Sequence, residues 1–158
     1  MSYGFPRLAR ALPALAALTF AAFTAPASAA LGGDEDSVHA DTARLRGQML
    51  STAMLQYTRH DIATGPDSAV HEYLSRGGKV FAVTWNGPLP PDLSQLFGSY
   101  FDSYRTALIA QSHPGGHRRV YVAQADFVAQ SLGRMRAFRG KAYVPSLVPA
   151  GVDVTELQ

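Results

Sequence analysis

The sequence predicts an α+β fold: an antiparallel sheet of about five strands packed under one long amphipathic helix, with a weaker N-terminal helix beside it. Three observations predict it. Lys79 to Tyr104, KVFAVTWNGPLPPDLSQLFGSYFDSY, reads in one run as a buried strand, a proline-rich corner and a helix. Turn signals at Thr64–Ser68 and Arg76–Gly78 divide the preceding segment into a three-strand meander. After the helix, Val120 to Val144 returns to strand-forming residues and closes the sheet with a C-terminal hairpin.

The chain opens on a targeting segment. Arg7 and Arg10 precede an apolar run, Ala11 to Ala25, that is too short and too rich in alanine to span a membrane. Ala27 and Ala29 then supply the small residues of an A-x-A cleavage site. We read residues 1–29 as a cleavable secretory signal peptide, 30–150 as one globular α+β domain, and 151–158 as a C-terminal tail. Export places the protein in the periplasm or outside the cell, with no transmembrane span after cleavage.

Asp34-Glu35-Asp36 lies where a first helix begins, over Ser37 to about Gln48. Acidic residues there complement the helix dipole, and Asp36 or Ser37 can cap it. Asp34, Asp36, His39 and Asp41 are better explained this way than as metal ligands. Ala53 to Ile62 and Ala69 to Leu74 are the first two strands. If their hairpin is symmetric about its loop, Arg59 faces Glu72 as an ion pair and His60 faces His71. Val80 to Trp85, rich in branched and aromatic residues, is the third strand. Pro88, Pro90 and Pro91 end it.

Asp92, with Gln95 three residues on, forms a capping box for the long helix. Leu93, Leu96, Phe97, Tyr100, Phe101, Tyr104 and Leu108 make its apolar stripe, and Pro114-Gly115-Gly116 stops it. Core packing explains these rings better than a ligand groove. Val120 to Val122, Ala125 to Leu132 and Met135 to Val144 are extended, with a turn at Gly133 and a bend at Gly140. His113 and His117 have a zinc-like spacing, but in a Gly-Pro loop rather than on a helix.

Charge is unevenly distributed. Without Arg7 and Arg10 the fourteen basic residues fall to twelve, matching the twelve acidic ones, so the exported protein is formally neutral. That balance and the compartment argue against nucleic acid as a partner. Yet Arg105 to Lys141 holds seven basic residues and one acidic one. Arg118, Arg119, Arg134, Arg136, Arg139 and Lys141 are therefore the candidate anionic-surface residues, facing a glycan or lipid headgroups. A solvated edge guarded against aggregation is the simpler account of them. There are no cysteines, so neither disulfides nor thiolate metal sites are available.

Several stretches together carry a family resemblance. Ala30-Leu31-Gly32-Gly33-Asp34 follows the leader, and Tyr57-Thr58 with His71-Glu72-Tyr73 forms the hairpin. Val80 to Trp85 with Gly87-Pro88 leads through Pro91-Asp92-Leu93 to Leu96-Phe97-Gly98-Ser99-Tyr100-Phe101. Met135-Arg136-Ala137-Phe138, with Gly140, Ala142-Tyr143 and Pro145, completes the pattern. The chain thereby resembles the exported Gram-negative family catalogued as domain of unknown function 2844. The resemblance implies export and a single domain, and carries over no activity and no site residue.

The expected function follows by elimination. There is no Gly-x-Ser-x-Gly elbow, phosphate-binding glycine loop, His-Glu-x-x-His or cysteine nucleophile. Glu72, flanked by His71 and Tyr73, is the one candidate general base, and an ion pair with Arg59 explains it more simply. No catalytic, cofactor or metal residue is assigned, and no cofactor is implied. The expectation is a non-enzymatic binding or accessory protein of the cell envelope, whose partner is another envelope protein or an anionic glycan or lipid surface. The alternatives are a small-ligand carrier using Trp85, Tyr100 and Tyr104, and a cryptic hydrolase-like enzyme.

Overall fold

The structure, a computed structural model, describes Met1 and residues 30–111 and 119–158. The expected signal peptide, the His113/His117 pair and Arg118 lie outside the described residues. The chain order is α1 (Glu35–Arg44), β1 (Gln48–Ala53), β2 (Tyr57–Gly65), β3 (Ser68–Ser75), β4 (Val80–Gly87), α2 (Leu93–Phe97), α3 (Phe101–Ala110), β5 (Arg119–Ala123), β6 (Val128–Arg134) and β7 (Ala137–Tyr143). The fold is α+β, as expected, but the antiparallel sheet has seven strands, in the order β1-β2-β3-β4-β7-β6-β5. The helices carry the chain from β4 to the far edge, and β5, β6 and β7 step back until β7 pairs with β4.

Three expectations about elements are corrected. The additional strand β1 lies at one edge, where its Gln-Met-Leu-Ser-Thr-Ala sequence carries neither alternation nor turn punctuation. The single long helix is two helices joined by a 3-10 turn over Gly98–Tyr100. Gly98 has φ +50°, a left-handed conformation that breaks the helical ladder and that glycine adopts without steric cost. The capping position is as expected: the Asp92 carboxylate accepts from the Ser94 and Gln95 backbone N–H groups, at 3.0 and 3.3 Å. The last turn also moves, from Gly133 to Met135–Arg136, where Arg136 takes φ +61° between β6 and β7.

Both sheet faces are covered near β4, whose first six residues are all buried. On the inner face Ile62, Val70, Val83, Trp85, Val122, Ala129 and Ala142 meet Val38 of α1 and Leu96, Phe97 and Tyr104 of α2 and α3. Phe97 is fully buried, with Trp85, Tyr104 and Phe127 rings 5.1–5.7 Å from its own. Each such contact adds about 0.5–1.5 kcal/mol beyond area burial. On the outer face Tyr73, Phe81 and Ala82 are covered by the C-terminal segment, through Val152, Val154 and Leu157. Tyr73 Oη donates to the Gln158 carbonyl at 2.5 Å. Residues just after the expected cleavage site are also fixed, since the Leu31 N–H donates to Leu96 O and Gly32 N–H to Val80 O.

Candidate functional site

The inner face holds a buried polar cluster under α1. Asp34 caps that helix by accepting from the Ser37 N–H at 3.2 Å, which sets its orientation and turns Asp41 inward. In the sheet below, Ser51 of β1 lies opposite His60 of β2, and His60 opposite Glu72 of β3. Asp41, His60 and Glu72 are all buried, while Ser51 is exposed. The Ser51 hydroxyl and His60 Nδ1 are hydrogen-bonded at 2.8 Å. Asp41 Oδ1 accepts from the Gln95 amide at 2.8 Å and lies 3.6 Å from the Arg44 guanidinium. Asp41 Oδ2, His60 Nε2 and both Glu72 oxygens have no hydrogen-bond partner among the described residues.

Burial disfavours the charged form of each of these groups. Burial, reinforced by the charge of Asp41, pushes the Glu72 carboxyl up to about 9. Burial likewise raises Asp41, against the opposing effects of Gln95, Arg44 and the Ala30 backbone. It lowers His60, in spite of Glu35 and Asp61. At neutral pH Glu72 is a neutral acid and His60 a neutral imidazole. Chemically this is a Ser–His pair whose cross-strand neighbour, Glu72, is a protonated carboxyl not hydrogen-bonded to the imidazole. Among the described residues no group of three or more His, Asp or Glu is arranged to hold a metal ion.

The expected Arg59–Glu72 and His60–His71 pairings are both corrected. The β2–β3 hairpin turns over Pro66-Asp67 with a register shift between Ala63 and Gly65, so His60 meets Glu72 and His71 meets Asp61. A one-residue slip exchanges every side chain between faces, which puts the two histidines on opposite sides of the sheet. Arg59 pairs instead with Asp61 on the outer face, at 2.9 Å, and His71 Nδ1 lies 2.5 Å from the same carboxylate. The Ser51–His60–Glu72 row was not seen in the sequence, because it depends on a strand and a register that local pattern does not specify.

The candidate basic residues fall on the outer face of the other half of the sheet. Arg119 of β5 and Arg139 of β7 flank Leu132 of β6 in one cross-strand row. Arg134, two residues beyond Leu132, shares that face. In the neighbouring row Lys141 and Tyr121 flank Gln130. Arg119, Arg134, Arg136 and Arg139 are exposed, and none forms an ion pair with a described carboxylate. Lys141 is more committed, donating to the Val154 and Thr155 carbonyls at 3.1 and 3.3 Å. Beside it a groove of about 200 Å³ is lined by Tyr121, Gln130, Tyr143 and Thr155.

The aromatic helix region offers little to a ligand. Trp85 and Tyr104 are only 2% and 5% exposed. Tyr100 is stacked on Phe127, with ring centroids 5.4 Å apart. These rings fill one another's space, so the carrier reading has no free aromatic face at Trp85 or Tyr104.

Fold and site define an α+β protein with a seven-stranded antiparallel sheet, a buried acid–imidazole cluster on one face and a basic surface on the other. A family model described as "Protein of unknown function (DUF2844)" matches residues 27–157, and the chain belongs to this family. No curated protein and no solved structure matches it. No helix among the described residues is long and apolar enough to cross a membrane.

Proposed function

We propose that this chain is an exported, non-enzymatic binding or accessory protein of the cell envelope that engages an anionic glycan or lipid surface through Arg119, Arg134, Arg136 and Arg139. One observation carries the reading: strand register gathers Arg119, Arg134 and Arg139 on a single exposed outer face, without described carboxylates to neutralise them. Parallel cations on one face sum their fields and attract polyanions at low ionic strength. Export by residues 1–29 supports an envelope location, and N-terminal sequencing of the periplasmic protein is expected to begin at Ala30. The binding test is heparin chromatography. Wild type is expected to be retained, and the Arg119/Arg134/Arg139→Gln triple variant to elute at markedly lower salt. Equal retention removes the proposal.

A second reading, a hydrolase-like enzyme, is favoured by the Ser51–His60 hydrogen bond alone. In it, His60 Nδ1 takes the Ser51 proton as Oγ adds to an acyl carbon, and returns the proton to the departing alcohol. A fluorophosphonate probe tests it. Labelling that vanishes in Ser51→Ala supports acyl transfer, and an unlabelled wild type rules it out.

A further inference from the structure

We propose that β1 is a self-association edge, through which two copies of this chain pair antiparallel about a two-fold axis at Leu50 and join their sheets. The inference starts from an anomaly. An edge strand presents a row of unpaired N–H and C=O groups, and proteins normally guard it with charge, proline or a covering segment. Here the nine residues Gln48 to Gln56 contain no charged residue and no proline. Their backbone hydrogen bonds within Gln48–Ala53 all run to β2 among the described residues, which leaves the other side of the strand open. Leu50 is 67% exposed on that edge, and Met54 and Leu55, at the turn that follows, are 40% and 78% exposed.

The occupant follows from charge and symmetry. The opposite edge, β5, begins at Arg119 and shares its outer face with Arg134 and Arg139, so joining it to its own copy would set two basic faces edge to edge. β1 carries no such repulsion. An isologous contact needs only self-complementarity, and an antiparallel strand facing its own copy always has it. Placing Leu50 opposite Leu50 of the second copy sets Gln48 opposite Thr52, keeps the outer-face residues together, and covers exposed leucine with leucine. It also pairs the open backbone groups and gives one continuous fourteen-stranded sheet, twice the seven of each copy.

Sedimentation velocity on the purified protein, from about 1 to about 500 µM, tests this over the range where a small interface associates. The expected result is a concentration-dependent monomer–dimer equilibrium, weakened at least tenfold in Leu50→Lys with an unchanged circular dichroism spectrum. Leu55→Lys, which lies outside the strand, is the second variant and is expected to weaken the dimer less. A wild type that stays monomeric throughout, or a dimer that survives Leu50→Lys, overturns the proposal. So does a monomer that associates only with a different protein.

Discussion

The indole of Trp85 lies against Gly140 of the adjacent strand, its directly paired residue, so closely that a methyl group at Gly140 would come within 2.3 Å of the ring. The same methyl would lie 2.5 Å from the Gln130 carbonyl. Gly140 thus joins the two halves of the sheet where β4 meets β7. Gly140→Ala forces either the indole or the backbone to move, and is expected to cost about 1–3 kcal/mol in urea unfolding. A variant as stable as wild type would place the indole elsewhere.

Glu72 should cost stability at neutral pH. Below pH 4.5 its carboxyl is protonated in the folded and the unfolded chain alike and has no effect. As pH rises the unfolded chain ionises first, and stability is lost progressively until about pH 9, where the folded carboxyl titrates. At pH 7 the loss is about 3 kcal/mol. Glu72→Gln, neutral at every pH, is expected to be more stable by an amount that grows between pH 5 and 8 and vanishes near pH 4.5. Chemical denaturation across that range measures the difference. A Gln variant less stable than wild type at pH 7 would mean that an ionised Glu72 is stabilised in the fold.

His60 acts in the opposite direction. Its pKa is lowered from 6.5, so folding resists protonation and stability falls as pH drops below 6.5. Glu72 acts from the other side, its cost growing as pH rises above 4.5. His60→Gln is expected to flatten the acid limb, as read from melting temperature against pH. An unchanged acid limb would assign the loss to other groups.

Phe97→Ala tests the core. The ring is fully buried among Trp85, Tyr104 and Phe127, so truncation leaves a cavity costing about 3–5 kcal/mol. Near-wild-type stability would show that this contact does not hold the helices to the sheet.

The outer-face C-terminal segment depends on fewer contacts. Tyr73→Phe removes the hydrogen bond to Gln158 O while leaving the ring against Phe81, at an expected cost of about 1 kcal/mol. Faster proteolysis after residue 150, with the rest of the sheet intact, is the accompanying readout. Equal cleavage rates would show that the segment is held without Tyr73.

What could be read from the chain was local. Val80 to Trp85 has the branched, aromatic composition of a buried strand, and Asp92 with Leu96, Phe97 and Tyr104 has helical spacing after a cap; each forms the expected kind of element. What could not be read depends on distant partners. β1 has no periodicity because its outer side faces no core residue, and its pairing with β2 alone makes it a strand. The Gly98 break is invisible in the apolar stripe, which runs through it on one face. The Ser51–His60–Glu72 row required two registers, one of them altered by the irregularity at Ala63–Gly65. Gln95, placed in a capping box by spacing, reaches Asp41 of α1 instead. The basic residues were visible as composition, and only the pairing of β5, β6 and β7 aligns Arg119 with Arg139.

The most direct test of the proposed role is the salt dependence of binding to a sulfated or uronate polysaccharide fragment, titrated in parallel on wild type and on the Arg119/Arg134/Arg139→Gln variant. Wild-type affinity is expected to fall steeply from about 50 to about 200 mM salt, as screening shortens the reach of the three guanidinium groups to about 10 Å or less. The variant is expected to bind weakly at both. Identical affinities and identical salt slopes for the two proteins would contradict a role for this face.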